Sequence, residues 1–99
     1  MVVIREPIEF EWNKGNIGKN LGSHRVEDRE SEESFFDEKR IIFKDRFHSA
    51  KEERFILLGK TKEKRLLYVV FTMRGKKVRI ILARDISKVK EVRLYVKKT

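Results

Sequence analysis

Two histidines are the side chains of this sequence best suited to proton transfer. His48 lies in a polar stretch, residues 45–54, that leads into an apolar run. Loops commonly carry functional groups, and an unperturbed imidazole with a pKa of roughly 6.5 exchanges protons near neutrality. A solvated or turn-stabilising histidine is the alternative for His48. His24 falls on the apolar stripe of a predicted helix, where a hydrogen-bonded packing histidine competes with contact to a ligand.

Several arginines lie on or beside predicted strands. Arg74, Arg79 and Arg84 lie at or near the turn and strand before the last predicted helix. The planar guanidinium fork matches the oxygens of a phosphate, so these groups could converge on one phosphate. Side chains alternate along a strand, so Arg79 and Arg84 should face opposite sides unless the strand ends before Arg84. Solvated surface arginine is the alternative for both.

Metal and thiol chemistry find little support in the sequence. Asp45, Glu52 and Glu53 could bind a cation, but without a further carboxylate cluster we favour ion pairing with Arg46 and Arg54. The chain has no cysteine, which excludes a thiolate zinc site, a disulfide and a thiol nucleophile. It also has no glycine-rich phosphate loop and no helical His/Glu metal pair. We therefore predict neither a metal nor a cofactor.

Charge is distributed unevenly along the 99 residues, whose net charge is +9. Residues 1–38 carry five Lys/Arg against ten Asp/Glu, a net of −5, whereas residues 39–99 carry twenty against six, a net of +14. Such a field favours a polyanion, for which RNA is the best candidate. The alternative is solubility alone, because 41% charged residues and no glutamine are typical of thermophile proteins.

The same composition predicts a cytoplasmic location without a membrane contact. The longest purely apolar run, residues 66–71, is too short to span a bilayer. The first dozen residues carry charges of both signs, which argues against a signal peptide.

The first third of the chain predicts a strand and two helices. Residues 8–12 alternate apolar and acidic side chains, a pattern typical of a half-buried strand. Asn13 is predicted to cap a short helix with Ile17, Leu21 and His24 on its apolar stripe. The polar stripe of that helix comprises Asn16, Lys19, Asn20 and Ser23. The acidic residues 27–38 are predicted to form a second helix, since early acids suit a helix N-terminus.

The remaining sequence predicts an antiparallel meander followed by one helix. Strands are expected over residues 40–43, 54–59, 66–72 and 78–83. The third strand is apolar on both faces, so it should be central in the sheet and covered by a helix on at least one side. A last helix begins at Ser87, with an apolar stripe formed by Val89, Val92 and Val96. Residues 1–99 are thus predicted to be a single α+β domain with four to five strands, two N-terminal helices and one C-terminal helix.

Several separate segments resemble, in order, the BrnT family of toxins. The N-terminal part of the resemblance is the run Phe10-Glu-Trp12-Asn13-Lys-Gly15-Asn16-Ile-Gly-Lys19-Asn20-Leu-Gly-Ser-His24-Arg-Val26. The later parts are Asp45-x-x-His48-Ser49-x-x-Glu-Glu53-Arg54, Val70-Phe71-Thr72-x-Arg74, Arg79-Ile80-Ile-x-Ala83-Arg84 and Glu91-x-x-x-Tyr95. The resemblance covers residues 8–96, nearly the whole chain.

The resemblance implies a RelE-like fold and a ribonuclease activity that inhibits translation. It also implies a type II toxin–antitoxin module in which a BrnA-type antitoxin, a ribbon-helix-helix protein, neutralises the toxin. In such modules the complex binds the operon's DNA, so DNA is expected as a partner only through the antitoxin.

RNA can be cut without a metal when its own 2′-hydroxyl attacks the adjacent phosphate, with groups that move protons and cations that stabilise the phosphoryl charge. For the ribonuclease activity that the resemblance implies, our hypothesis assigns proton transfer to His48 and stabilisation of the transition-state charge to Arg54 and Arg84. The residues predicted to hold RNA are Lys19, His24, Arg74 and Arg79. Two alternatives remain: a non-catalytic nucleic-acid-binding module, and a protein-interaction subunit whose basic surface serves an acidic partner.

Overall fold

The computed structural model describes residues 4–47 and 51–98. One five-stranded sheet has the order β1-β5-β4-β3-β2. Its strands are β1 (Glu9–Phe10), β2 (Ile41–Lys44), β3 (Phe55–Lys60), β4 (Leu66–Arg74) and β5 (Lys77–Asp85). The helices are α1 (Lys19–His24), α2 (Asp28–Ser34) and α3 (Val89–Lys98). The predicted α+β class, with two N-terminal helices and one C-terminal helix, is confirmed.

Strands β2 to β5 form the predicted antiparallel meander, and β4 is the middle strand. The short β1 was predicted as a longer strand, and it pairs in parallel with β5, from Glu9 opposite Lys77 to Phe10 opposite Val78. Gly75 adopts a left-handed φ of 62° between β4 and β5, a conformation that glycine reaches without strain. The parallel pairing of β1 ties the start of the chain to the last strand of the sheet.

Both faces of β4 are buried because helices cover both sides of the sheet. One face packs against Val26 and Phe35, at the two ends of α2, with Leu67, Val69 and Phe71 of β4 in the same cluster. The other face packs against Tyr95 of α3, in a cluster with Ile56, Leu58 and Val70. We call this second side the α3 face. Among the described residues, no helix is long and apolar enough to cross a membrane.

Helix α1 begins five residues later than predicted, and its polar side rather than its apolar side packs inward. Asn13 does not cap it; its side chain accepts a hydrogen bond from the Gly15 amide within a turn, and Gly18, with a φ of 67°, precedes the helix. The apolar stripe predicted to pack inward is exposed, with Ile17 at 58% and Leu21 at 51%. The polar stripe packs inward instead, at Asn16 and Asn20, because these amides bond to the backbone of β5.

Helix α2 confirms the predicted acidic helix but ends earlier, at Ser34. It starts with a capping box, in which the Glu27 amide donates to Glu30 and the Glu27 side chain accepts from the Glu30 amide. Helix α3 also forms as predicted, yet its valine stripe faces solvent rather than the sheet. Glu91 and Tyr95, one turn apart, are the buried side chains that hold α3 in place.

An irregularity between β4 and β5 changes which face the arginines occupy. Thr72 lies opposite Arg79 and Tyr68 lies opposite Arg84, but between these pairs the register shifts at Val70 and Phe71. Directly opposed residues of antiparallel strands share a face, and Tyr68 and Thr72 are an even number of residues apart. Arg79 and Arg84 therefore share the α3 face. The prediction of opposite faces was wrong because a bulge inserts one residue into β5.

Candidate functional site

A row of three side chains crosses the sheet at the end that α3 leaves open. Arg79 is opposite Thr72. Arg54 immediately precedes β3, where Phe55 is opposite Phe71, so Arg54 is the next residue across from Thr72. The Thr72 hydroxyl donates to the carbonyl oxygen of Glu53 at 2.7 Å, which ties the start of β3 to β4. We call Arg54, Thr72 and Arg79 the arginine row.

Arg79 is held firmly in this row. Its Nη1 donates to a Glu11 carboxylate oxygen at 3.3 Å and to the Asn16 side-chain oxygen at 3.5 Å, and the side chain is only 14% exposed. Gly15 lies so close that a Cβ added there would overlap Nη2 of Arg79. An arginine with few available rotamers loses little entropy when it binds an anion.

Two asparagines of the N-terminal segment bracket the bulge in β5. The amide of Asn16 donates to the Glu11 and Ile80 carbonyl oxygens at 2.9 and 3.1 Å. The side-chain oxygen of Asn20 accepts from the Ala83 amide at 3.0 Å. Both side chains are buried and bond to strand positions that β1 does not reach. They thereby help to fix the register that places Arg79 and Arg84 on one face, a role that the predicted helix stripe did not reveal.

Further cations extend the row toward the β4–β5 turn. Arg74 is opposite Lys77 and two residues beyond Thr72, so both cations are on the α3 face. Glu52 and Glu53 of the β2–β3 loop do form ion pairs, but with partners other than the predicted Arg46 and Arg54: Glu52 binds Nε of Arg74 at 3.3 Å, and Glu53 binds Lys44 at 3.4 Å. Among the described residues no group of three potential metal ligands occurs.

An open cleft of about 900 Å³ lies at the same end of the sheet and includes Thr72 in its lining. Its walls include the aromatic rings of Phe43 and Phe55. Charges of both signs complete the lining, from Glu38, Arg40, Lys44, Glu52 and Glu53. Ile42, Phe55 and Met73 of this lining belong to the side of the sheet that α2 covers, so most of the cleft lies across the sheet from the arginine row.

Arg84 lies on the same face but under α3. Its guanidinium grips Glu91 through two nitrogens, at 3.2 and 2.9 Å, and stacks on the Tyr68 ring at 3.9 Å from the centroid. Tyr68 and Thr72 are four positions apart in β4, a distance of about 13 Å along the strand. In this structure Arg84 does not converge with Arg74 and Arg79 on one point.

A second contact anchors the other end of α3. The Tyr95 hydroxyl donates to Asp37 at 2.6 Å, and burial together with this bond raises the pKa of Tyr95 to about 12. Burial alone would raise the pKa of Asp37, but the bond from Tyr95 and those from the Lys60 and Lys39 amides lower it overall. The spacing of Glu91 and Tyr95 by four residues could have indicated this inward face from the sequence.

The other predicted site residues lie elsewhere or outside the described residues. His48 is outside them. Lys19 is exposed at the first residue of α1, and His24 is half-buried at its last residue. Asn16 bonds to Ile80 and Asn20 bonds to Ala83, so Lys19 and His24 of α1 lie toward the Ala83 end of β5, away from Arg79. The structure thus groups Arg54, Arg74 and Arg79 and places Lys19 and His24 outside this group.

This geometry defines a small α+β domain with two arginines across an open end of its sheet, one of which, Arg79, is held by side-chain contacts. Neighbouring strands are about 4.8 Å apart, so Arg54 and Arg79 flank β4 with their Cα atoms about 10 Å apart. A phosphate above Thr72 can receive hydrogen bonds from both side chains. Such an arrangement favours a polyanion whose charge increases during a reaction.

The family model for the ribonuclease toxin BrnT of type II toxin–antitoxin systems matches residues 12–90 of this chain. The chain therefore belongs to the BrnT family, and the predicted resemblance is confirmed. A comparison with curated proteins gave no match. The matched range includes the asparagine pair, the arginine row and Arg84.

Gly15 provides a test of the arginine row. In a Gly15→Ala variant the new methyl group displaces the Arg79 guanidinium, so RNA affinity should fall roughly tenfold, as expected when one charge-assisted contact is lost. Fluorescence anisotropy with a labelled RNA measures this change. Gly22→Ala is the control, because a Cβ added at Gly22 meets nothing within 4 Å and should leave RNA affinity unchanged. Equal affinities for the two variants would contradict this role of Arg79.

Proposed function

We propose that this chain is an endoribonuclease that inhibits translation by cleaving RNA without a metal ion. The arginine row carries the proposal: Arg54 and Arg79 flank one point at the open end of the sheet, and Arg79 is held there by Glu11 and Asn16. The family match supports RNA as the polymer cut. The net charge of +14 on residues 39–99 supports binding to its backbone.

In the proposed reaction, the 2′-hydroxyl attacks the adjacent phosphorus and the bond to the 5′-oxygen breaks. One proton leaves the attacking hydroxyl and one reaches the departing oxygen, and His48 serves one of these transfers. Arg54 stabilises the charge that gathers on the phosphoryl oxygens. In support, the chain on either side of His48 leaves β2 and enters β3 at the sheet end where Arg54 stands.

The remaining cations hold the RNA backbone. Arg79 and Arg74 bind phosphates next to the scissile one, while Lys19 and His24 of α1 contact RNA that passes the β5 edge. Arg84 was predicted to share the transition-state charge, and that role requires release of Glu91. It stays a prediction.

The antitoxin of the module is proposed to be a BrnA-type ribbon-helix-helix protein. Family membership implies an antitoxin, and the ribbon-helix-helix class supplies the DNA contact that this chain is not expected to make by itself. Neutralisation then requires the antitoxin to cover the arginine row or to change its geometry.

Cleavage of RNA by the purified chain in EDTA is the direct test. We expect cleavage in EDTA, suppression when the cognate antitoxin is added, and an RNA affinity that falls steeply as salt rises, since bound phosphates release counterions. An Arg54→Ala variant serves as the inactive control. RNA binding without cleavage by the wild-type chain would identify a non-catalytic binding module instead, and a salt-independent affinity would contradict phosphate binding.

A further inference from the structure

Helix α3 exposes an apolar stripe to solvent, although the helix is anchored to the rest of the domain. Val89, Val92 and Val96 are 69%, 41% and 62% exposed. The opposite side of the helix is anchored through Glu91 to Arg84 and through Tyr95 to Asp37. The valines are therefore held outward by specific contacts on the inner side, and their exposure does not result from loose packing.

The charges around this stripe are all positive. Lys88, Lys90, Arg93 and Lys97 are exposed and flank the valines. The one acid of the helix, Glu91, is buried and its charge is balanced by Arg84. We call Val89, Val92 and these four cations the outer face of α3.

A protein segment fits this outer face better than RNA does. RNA bases stack on aromatic rings or guanidinium planes, and phosphates gain nothing from branched aliphatic side chains. Apolar residues at i and i+3 instead match an amphipathic helix that lays its own apolar stripe against them. The flanking cations then select a partner whose polar positions are acidic.

Among the described residues, a second copy offers no such segment, because its acidic helix α2 contains no apolar side chain. Its outer face of α3 would repel an identical one. The acids of α2 are already engaged within the chain: Glu33 binds Arg29 at 2.7 Å, and Glu30 binds Arg65 at 3.1 Å.

We propose that the outer face of α3 is the docking surface for an acidic amphipathic helix of the antitoxin. The partner rests on the proposed function, but the location and the chemistry of the contact go beyond it. Because α3 lies on the same face as the arginine row, an antitoxin attached there has its remaining chain beside the RNA site.

The test compares two pairs of exposed apolar residues. The Val89→Ser/Val92→Ser variant should bind the purified cognate antitoxin roughly 10- to 100-fold more weakly in calorimetry, because two apolar contacts are lost. The matched control is Ile17→Ser/Leu21→Ser, which changes two exposed apolar residues in and just before α1, and its antitoxin affinity should stay unchanged. Circular dichroism checks that both variants fold.

A second variant addresses the charges. Lys90→Glu/Arg93→Glu should also weaken antitoxin binding, and the remaining salt dependence of the affinity should be smaller than in the wild-type chain. The valine pair, in contrast, should leave RNA affinity unaltered.

Three results would overturn the proposal. One is full antitoxin affinity in both α3 variants, or a loss confined to the α1 pair. Another is an RNA affinity that falls as much as the antitoxin affinity when the valines change, which would assign this face to RNA. The third is wild-type self-association, seen by sedimentation, that the valine substitutions abolish. Cleavage is measured separately: a chain that cuts no RNA but binds the antitoxin through the valines would refute the proposed nuclease and support the docking surface.

Discussion

RNA cleavage by a His48→Ala variant is expected to be slower by about 10²- to 10⁴-fold, the range typical of a lost proton-transfer group. The affinity for RNA should hardly change, because the phosphates are held by the arginines. The pH–rate profile should also lose the limb that reports the histidine. Single-turnover cleavage from pH 5 to 9, with saturating protein, measures both effects.

His24 offers the matched control for this experiment. A His24→Ala variant removes the second histidine, which lies at the end of α1 away from Arg79, and it should retain both limbs of the profile. Its effect should be confined to RNA affinity. If His48→Ala cleaves at the wild-type rate with an unaltered profile, the histidine is structural, and catalysis must be assigned to the arginines and lysines alone.

Removal of the Arg84–Glu91 contact is expected to lower the free energy of unfolding by about 1.5 to 3 kcal/mol, the value of a hydrogen bond between charged groups. Arg84→Lys loses the planar fork and Glu91→Gln loses the charge, so each should have a similar effect. The double variant should be hardly less stable than either single one, because both changes break the same contact. Urea denaturation of the four proteins gives these values.

The same contact predicts a loss of stability in acid. Burial alone would raise the pKa of Glu91, but the hydrogen bonds and charge of Arg84 outweigh it and lower the pKa below its ordinary value. The contribution of Glu91 is thus complete above the pKa of the unfolded chain, near 4.5, and is lost as the pH falls through the lower folded pKa. The Glu91→Gln variant should lack this part of the acid dependence.

Turnover in these variants decides whether Arg84 also acts on RNA. Arg84→Lys and Glu91→Gln disturb the anchor of α3 alike, but only the first changes the guanidinium. A turnover that falls 10²- to 10³-fold in Arg84→Lys alone would assign the transition-state charge to Arg84. Equal turnover in both would restrict Arg84 to anchoring the helix.

The strands were predictable because their patterns reflect burial directly. The run over residues 66–71 is apolar on both faces, and only a central strand covered on both sides accommodates that pattern. The faces of α1 and α3 were not predictable in this way. Asn16 and Asn20 are buried because they bond to the backbone of β5, and the valines of α3 are exposed because Glu91 and Tyr95 hold the other side inward.

The site was predictable in composition but only partly in arrangement. Residue types and the family resemblance indicated the arginines of the row. Alternation along β5 predicts that Arg79 and Arg84 face opposite sides of the sheet. The bulge instead places both on the α3 face, where α3 covers only Arg84. A one-residue shift in pairing leaves no local sign in a sequence, since it depends on hydrogen bonds between segments more than sixty residues apart.

The parallel pairing of β1 with β5 also sets the order in which a growing chain can complete its site. During translation, β1 and the asparagines of the N-terminal segment leave the ribosome long before β5. Glu9 can pair with Lys77 only after β5 has emerged. Contacts this distant in sequence form late, after the local hairpins of the meander. Arg79 and the bulge belong to the same late strand, so a nascent or truncated chain that ends before β5 carries no arginine row. A chain truncated before β5 is therefore expected to lack the proposed RNA site.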